Sequence, residues 1–427
     1  MRLLIFILYN TIIYPPFFII ISILALFNRK IRNGFIGRLH SRSILIDYFK
    51  KNNINTKIYW FHCSSYGEYL QVEPIIEGIK KNNINCMILL SFFSPSGFNN
   101  AHNEHVDCKV YLPFDFYWTI NSILNLVKPH KVIFATTDLW YNFIWVANHK
   151  NIDTILVGAK SKNNFVETLS LFNGIYKPIY QSITKIFTIT NSDTVMIKDY
   201  VGLSNKDKVY QMGNPRFDQV ISDAKQISEI DKKPILQRQN ILLFGSMHHE
   251  DRNIVLSHTV EYLEKNENLE IIWASHEPDE QDNRYLESMF SRRGVSVGRV
   301  NVIEDIKTSE ERVKIINVVG ILAKLYWRVK IAYIGGGFST GVHNLMEPSV
   351  AEVPTIFGPN YKNFDEAVEI INNKSGFCIK NGREFIESLD SLLSDEKKLF
   401  FASASAKELI TKNSGASSKI VEEILAN

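Results

Sequence analysis

Glu68 stands where a short apolar run, Ile58–Cys63, passes through Ser64-Ser65-Tyr66-Gly67 into a helical pattern, YLQVEPIIEGIKK. A carboxylate in the first turn of a helix is stabilised by the helix dipole. One at a strand end in an open α/β sheet faces the crevice where ligands sit. Two readings fit it: a general base for a substrate hydroxyl, and an ordinary first-turn glutamate. Asp138, in Thr136-Thr137-Asp138-Leu139-Trp140, follows the run Val132–Ala135 in the same fashion, and either orients an acceptor or caps the next helix. The densest stretch is Ile331–Pro359. Its apolar run stops at Gly335, Gly336 and Gly337, a polar turn follows, a helix is expected from about His343, and Pro354–Phe357 is apolar again. Glycines admit a ligand to the backbone where a Cβ would block it, and a helix start offers free N–H groups to a phosphate. His343, Asn344 and Glu347 then share the first turn of that helix and face one site. The competing reading is a tight turn without a ligand.

Gly245-Ser246 repeats the order of strand, small residues and helix, and is a second candidate for anion contact. Arg216, in Gly213-Asn214-Pro215-Arg216-Phe217-Asp218, either neutralises a carboxylate or phosphate or is simply solvated. His276 sits at another strand end, in Ala274-Ser275-His276-Glu277-Pro278. His248 and His249 have no second ligand set at metal spacing, and no metal is assigned. The four cysteines, Cys63, Cys86, Cys108 and Cys378, lack C-x-x-C spacing and read as buried free thiols in a reducing compartment.

These residues need a scaffold of strand ends. Apolar runs at Ile58–Cys63, Cys86–Phe93, Lys109–Leu112, Val132–Ala135, Thr154–Val157, Lys185–Thr190 and Val209–Met212 alternate with helix-length segments, which argues for βαβ units and a parallel sheet. A charged stretch at Ser222–Gln239 reads as a linker. The pattern restarts at Ile241–Phe244 and Leu269–Ala274, weakens at Val313–Val318, and reaches the glycine stretch. The expected class is α/β with two Rossmann-like domains, 40–221 and 236–427, facing a central cleft between the carboxyl ends of their sheets. The last helices are free to pack back on the first domain.

The chain has 427 residues, 45% hydrophobic and 22% charged, with a formal charge of +3, too small to argue for nucleic acid. Leu3–Phe27 carries no charge and is long enough to cross a bilayer. Pro15-Pro16 interrupts it, so a kinked span and a segment lying in the interface both fit. Arg29, Lys30, Arg32 and Arg38 follow at once, which places the remainder on the cytoplasmic side and offers cations to an anionic leaflet. Residues 1–28 are thus expected to be a membrane anchor that neither domain uses for its fold. A cleaved signal peptide competes, but no small-x-small site precedes the basic cluster.

Taken together, these blocks resemble the Kdo (3-deoxy-D-manno-octulosonic acid) transferases of lipopolysaccharide synthesis. Trp60–Glu68 is similar to the family's W-x-H-x-x-S-x-G-E, and Asp138-Leu139-Trp140-Tyr141-Asn142 to its E-L-W-P-N. Gly213–Asp218, Gly245-Ser246, Gly335–Pro348, Phe357-Gly358-Pro359 and Asn363-Phe364 complete the likeness. The resemblance implies a GT-B glycosyltransferase of the inner membrane, facing the cytoplasm, that moves Kdo from CMP-Kdo to the lipid A precursor (lipid IVA) with inversion and without a metal or cofactor. It implies that Glu68 is the base, with Ser65, Gly67 and Asp138 on the acceptor side. The donor side would comprise Arg216, Gly245, Ser246, His276, Gly336, Gly337, His343, Asn344 and Glu347. Three departures stand out: Thr136 where many members carry another Glu, Tyr141 for the usual Pro, and no Arg before His276. The competing functions are a UDP-sugar transferase acting on another lipid and a catalytically silent, membrane-tethered binding module. Intact Glu68 and Gly335–Gly337 speak against the latter.

Overall fold

The computed structural model describes residues 2–52, 55–136, 138–161, 173–225, 227, 232–303 and 305–426. The chain forms two compact units, Met1–Gln219 with Gly415–Asn427, and Val220–Ser414. Part of the expected linker, at 226 and 228–231, lies outside the described residues, and Ser222 belongs to a helix, Arg216–Lys225.

The first unit is a seven-stranded parallel sheet: β1 (Ile58–Cys63), β2 (Met87–Phe92), β3 (Cys108–Tyr111), β4 (Lys131–Ala135), β5 (Asp153–Ala159), β6 (Lys185–Thr188) and β7 (Val209–Gln211). The order is β3-β2-β1-β4-β5-β6-β7. Helices cover both faces, so β1, β2 and β4 are buried along their whole lengths and read as unbroken apolar runs rather than alternating ones. The order reverses between β1 and β4, the place in such sheets where strand ends part and a crevice opens. Glu68 follows β1 and Asp138 follows β4. The last helix, Ala416–Leu425, returns to this unit through Asp218, whose carboxylate accepts from the N–H groups of Gly415 (2.6 Å) and Ser417 (2.7 Å) and from the Ser417 hydroxyl (2.6 Å). Lys131 adds bonds to the carbonyls of Ile424 (2.7 Å) and Ala426 (2.8 Å).

The second unit repeats the plan: β8 (Ile241–Met247), β9 (Glu270–Ser275), β10 (Val297–Val300), β11 (Val313–Ile316), β12 (Ile331–Ile334), β13 (Thr355–Phe357) and β14 (Gly376–Cys378). Their order is β10-β11-β9-β8-β12-β13-β14, all parallel. β10, a half-buried edge strand reading Val-Gly-Arg-Val, has no apolar run to betray it.

Leu4–Phe27 is a helix 24 residues long with mean hydropathy 2.1, long and apolar enough to cross a membrane. Pro15-Pro16 does not break it. Five residues, Tyr9–Ile13, adopt the wider π-type winding, and the prolines then open the next helix, Tyr14–Phe27, where missing N–H groups cost little. The segment is also not independent of the fold. Tyr9 donates to the fully buried Asp115 (2.8 Å), Tyr14 accepts from the Asp115 backbone N–H (2.6 Å), and Asn10 exchanges two bonds with Asn142 (2.9 and 3.0 Å). Asp115 also accepts from the N–H groups of Asn142 (3.0 Å) and Phe143 (2.9 Å), while burial pushes its carboxyl up to about 7. Tyr141, at the position of the family's proline, packs its ring 4.9 Å from Tyr9. The other side of the segment, including Leu4, Ile12, Ile19, Ile20, Leu26 and Phe27, is exposed. Arg38 departs from expectation as well. It is buried, lies 3.9 Å over the Phe93 ring and donates to the Phe93 carbonyl (2.5 Å), so only Arg29, Lys30 and Arg32 of the basic cluster point to solvent.

Because these bonds are buried, Tyr9→Phe should lower the stability of the first unit by about 1–3 kcal/mol, the cost of leaving a buried acceptor short of a donor. Removing residues 1–27 should lower its unfolding temperature further. Denaturant and thermal unfolding in detergent measure both, and a Tyr9→Phe protein as stable as the wild type would show that the Asp115 network does not need the amino-terminal segment.

Candidate functional site

In the first unit the chain leaves β1 at Ser64, and Ser65 caps the helix Tyr66–Asn82, its hydroxyl accepting the Glu68 N–H (3.4 Å). The Glu68 carboxylate turns back to accept from the Ser64 N–H and from the Ser64 hydroxyl (2.6 Å). Burial lifts Glu68 above the ordinary carboxylate range; the Ser64 donors pull it back, the charge of Asp138 pushes it up again, and His62 draws it down. Gly67, beside it, is open: an added Cβ would meet only the Ser65 hydroxyl oxygen at 3.9 Å.

Asp138 does not cap the next helix. Trp140 occupies the cap of Tyr141–His149 with no side-chain bond, and the Asp138 carboxylate instead lies 2.9 Å from Nε2 of His62. His62 is fully buried in β1. Its Nδ1 is 3.0 Å from the Ser91 hydroxyl of β2, which also accepts from Trp60 Nε1 (2.9 Å). Nδ1 also lies 3.2 Å from the Ser91 carbonyl. A side-chain relay thus runs Trp60–Ser91–His62–Asp138 and ends at a carboxylate whose field reaches Glu68. His62 lies in the Trp60–Glu68 motif, which by itself gives it no role. The available signal was a histidine inside an otherwise apolar strand, where a buried ring needs a polar partner.

In the second unit the three glycines serve a different purpose from the one expected. A Cβ on Gly335 would overlap the Ser246 carbonyl, one on Gly336 the Gly341 carbonyl, and one on Gly337 the backbone of Gly358. The neighbour each glycine admits is another stretch of this chain. Gly336 has φ +90°, a left-handed conformation that suits glycine, and its N–H donates to Asp251 (2.7 Å). Asp251, buried on the helix His249–Lys265, also accepts from Tyr333 (3.0 Å) and was not singled out from sequence. Gly245 lies under this turn, its carbonyl accepting the Gly335 N–H (2.9 Å), and Ser246 takes φ +53°. The expected helix starts later than His343, at Met346, and has five residues, because Asn344 Oδ1 accepts the Met346 N–H (2.9 Å) and holds the chain in turns until then. Asn344 also donates to Glu347 (2.8 Å), so these two candidates orient each other. The 17-residue helix His249–Lys265, which follows the Ser246-Met247 end of β8 through its cap His248, is the longer dipole at this end of the sheet.

Three histidines converge here. His248 follows β8, His276 follows β9, and His343 follows the glycine turn after β12, on three strands adjacent in the sheet. His248 and His343 meet through their Nε2 atoms at 2.7 Å, and the His276 ring lies 4.7 and 4.5 Å from theirs. Burial, then the neighbouring imidazoles, depress His343 to about 4, and His276 is lowered for the same reasons, so both are neutral at pH 7. Spacing along the chain offers no second ligand set for His248. The fold supplies one from residues 28 and 95 positions away. Arg216 opens the helix Arg216–Lys225 and belongs to the first unit, apart from the other donor-side candidates, all of which lie in the second.

Because Gly337 lies against backbone and Gly67 against nothing rigid, alanine at the two positions should act oppositely. Gly337→Ala should destabilise the second unit by about 1–3 kcal/mol, whereas Gly67→Ala should leave the first unit as stable or about 0.4–1 kcal/mol more so. Thermal unfolding of the two variants decides it; equal effects would remove the backbone-packing explanation of the glycine turn.

Residues 37–219 match the family model described as 3-deoxy-D-manno-octulosonic-acid transferase (kdotransferase). The chain is 23% identical over 394 residues to the 3-deoxy-D-manno-octulosonic acid transferase of Chlamydophila psittaci, across 90% of this chain and 89% of that one. It is 27% identical over 348 residues to a bifunctional glycosyltransferase/methyltransferase of Fusobacterium nucleatum, and the match takes in 78% of this chain but spans only 52% of that relative. Among solved structures, UDP-GlcNAc 2-epimerase from Neisseria meningitidis bound to UDP-GlcNAc superposes on 87% of this chain and 100% of its own, with a TM-score of 0.61 and 15% identity. That likeness is one of fold, two Rossmann-like units of the GT-B class. The matched region 37–219 carries Glu68, its serine donors and the His62–Asp138 pair, and with the near full-length likeness to curated transferases it identifies this chain as a glycosyltransferase similar to the Kdo transferases.

Proposed function

We propose that this protein transfers Kdo from CMP-Kdo to a lipid A precursor, with inversion and without a metal, at the cytoplasmic face of the inner membrane. The observation that carries the reading is Glu68, a half-buried carboxylate beside the β1/β4 switch point, raised above the ordinary range by burial and by Asp138. Such a group is suited to take a proton near neutral pH. As the acceptor hydroxyl attacks the anomeric carbon of Kdo, its proton passes to Glu68. The new carbon–oxygen bond forms as the bond to the CMP phosphate breaks, and CMP leaves with the electron pair. Attack from the opposite side to the leaving group inverts the centre. Asp138, held by His62, orients the acceptor, and the open space at Gly67 admits it.

On the donor side, His276, His343, the Asn344–Glu347 pair and the backbone around Ser246 and Gly337 are assigned to CMP-Kdo. Neutral imidazoles and backbone N–H groups can meet the charge on a departing phosphomonoester by hydrogen bonding, which is the basis for leaving out a cation. The exposed apolar side of Leu4–Phe27 with Arg29, Lys30 and Arg32 suits a lipid surface, where such an acceptor resides. Product analysis by mass spectrometry, with CMP-Kdo and with UDP-sugars offered to the same acceptor, tests the donor assignment directly; turnover of a UDP-sugar alone would overturn it.

Glu68→Gln should lose about 100- to 10,000-fold in turnover while binding CMP-Kdo as the wild type does. A variant retaining a tenth of the rate would make Glu68 a latch for the Ser64 turn. Because the ionised form acts, kcat/KM should fall as pH drops through the raised value, above the free carboxylate value of about 4.3. Ser64→Ala removes a donor that favours ionisation, so this limb should move to higher pH. Excess EDTA should leave turnover unchanged; loss of activity restored by Mg²⁺ would overturn the metal-free reading.

A further inference from the structure

We propose that His248, His276 and His343 form a binding site for a divalent cation of the zinc class, and that the bound cation competes with the donor substrate. Ligand atoms of the three imidazoles lie within 4.8 Å of one another. The rings come from the ends of three adjacent strands and rest on the rigid backbone packing of Gly335 against β8. The His248–His343 contact satisfies one nitrogen on each of two rings. The side chain of His276, exposed and parallel to both, has no hydrogen-bond partner among the described residues.

Metal–nitrogen bonds of about 2.0–2.1 Å in a tetrahedron place ligand atoms about 3.3 Å apart. The two Nε2 atoms at 2.7 Å therefore need to separate by only about half an ångström, and the exposed His276 needs only to turn inward. All three ligands are imidazoles, a set that suits Zn²⁺, Co²⁺, Ni²⁺ or Cu²⁺ and not Mg²⁺ or Ca²⁺, which take oxygen. Three histidines with an open fourth position is a known zinc arrangement. The competition rests on the donor assignment above, since a ring nitrogen of His276 or His343 that binds the cation is no longer available to the phosphate. The binding itself does not rest on it.

The test uses the full-length protein in detergent, without a histidine tag. Equilibrium dialysis with Zn²⁺ and the visible spectrum of added Co²⁺ read the site without any turnover. One cation per chain, with the strong visible bands of four- or five-coordinate Co²⁺, is the expected result. His276→Asn, an exposed change that spares the fold, should weaken Zn²⁺ binding at least about tenfold, the low end of what even outer-shell losses cost. His248→Asn should do the same, with circular dichroism to check folding. Binding that survives both substitutions, or no binding beyond that of octahedral aqueous Co²⁺, overturns the site. Zn²⁺ should then weaken CMP-Kdo binding, reversibly with EDTA. Histidine-dependent Zn²⁺ binding that leaves CMP-Kdo affinity unchanged supports the cation site and overturns the competition.

Discussion

Where one stretch of backbone lies directly on another there is no room for a Cβ, and much of the second unit depends on that constraint. Gly335 rests on the Ser246 carbonyl and Gly337 on Gly358, so the ends of β8, β12 and β13 are locked at backbone distance. Asp251 completes the lock by accepting the Gly336 N–H and the Tyr333 hydroxyl from a helix that follows β8. Side chains that leave this platform have little freedom in where they arrive. That is why His248, His276 and His343, each at the end of a different segment, meet within hydrogen-bonding and coordination distance.

The first unit reaches comparable order by another route, through buried polar groups. His62 cannot sit inside a sheet without partners, and its two nitrogens find Ser91 on one side and Asp138 on the other. Each of these is on a neighbouring strand or just beyond one, so the relay fastens β2, β1 and the end of β4 together at the switch point. Asp115 does the same for the amino-terminal segment: a fully buried carboxyl draws Tyr9, Asn142 and Phe143 around itself. The amino-terminal segment thus spends its polar atoms on the first unit and leaves apolar side chains on its outer side.

The two units therefore divide the chemistry as their materials suggest. In the first, burial raises Glu68 beside the charge of Asp138, the setting the proposed proton transfer calls for. Imidazoles whose protonation burial disfavours and close-packed backbone belong to the second, to which the proposal assigns the donor. The same imidazoles are the ligands of the proposed cation site.

Much of this was legible in the chain itself. The apolar runs announced most strands of both sheets because a strand covered on both faces must be apolar along its length, and β10 escaped notice because an edge strand need not be. The positions of Glu68 and Asp138 at strand ends followed from local order alone. What local order does not contain is which strand lies beside which. Only the sheet order brought His62 to Asp138, across 76 positions, and His248 to His343, across 95. The same holds for the glycines: their presence marked a special backbone, but whether a ligand or the chain itself occupied the space was decided by Ser246, Gly341 and Gly358 arriving from elsewhere. The amino-terminal segment shows the limit most clearly, since hydropathy reports what a helix avoids, water, and is silent on whether a buried aspartate more than a hundred residues away will claim its tyrosines.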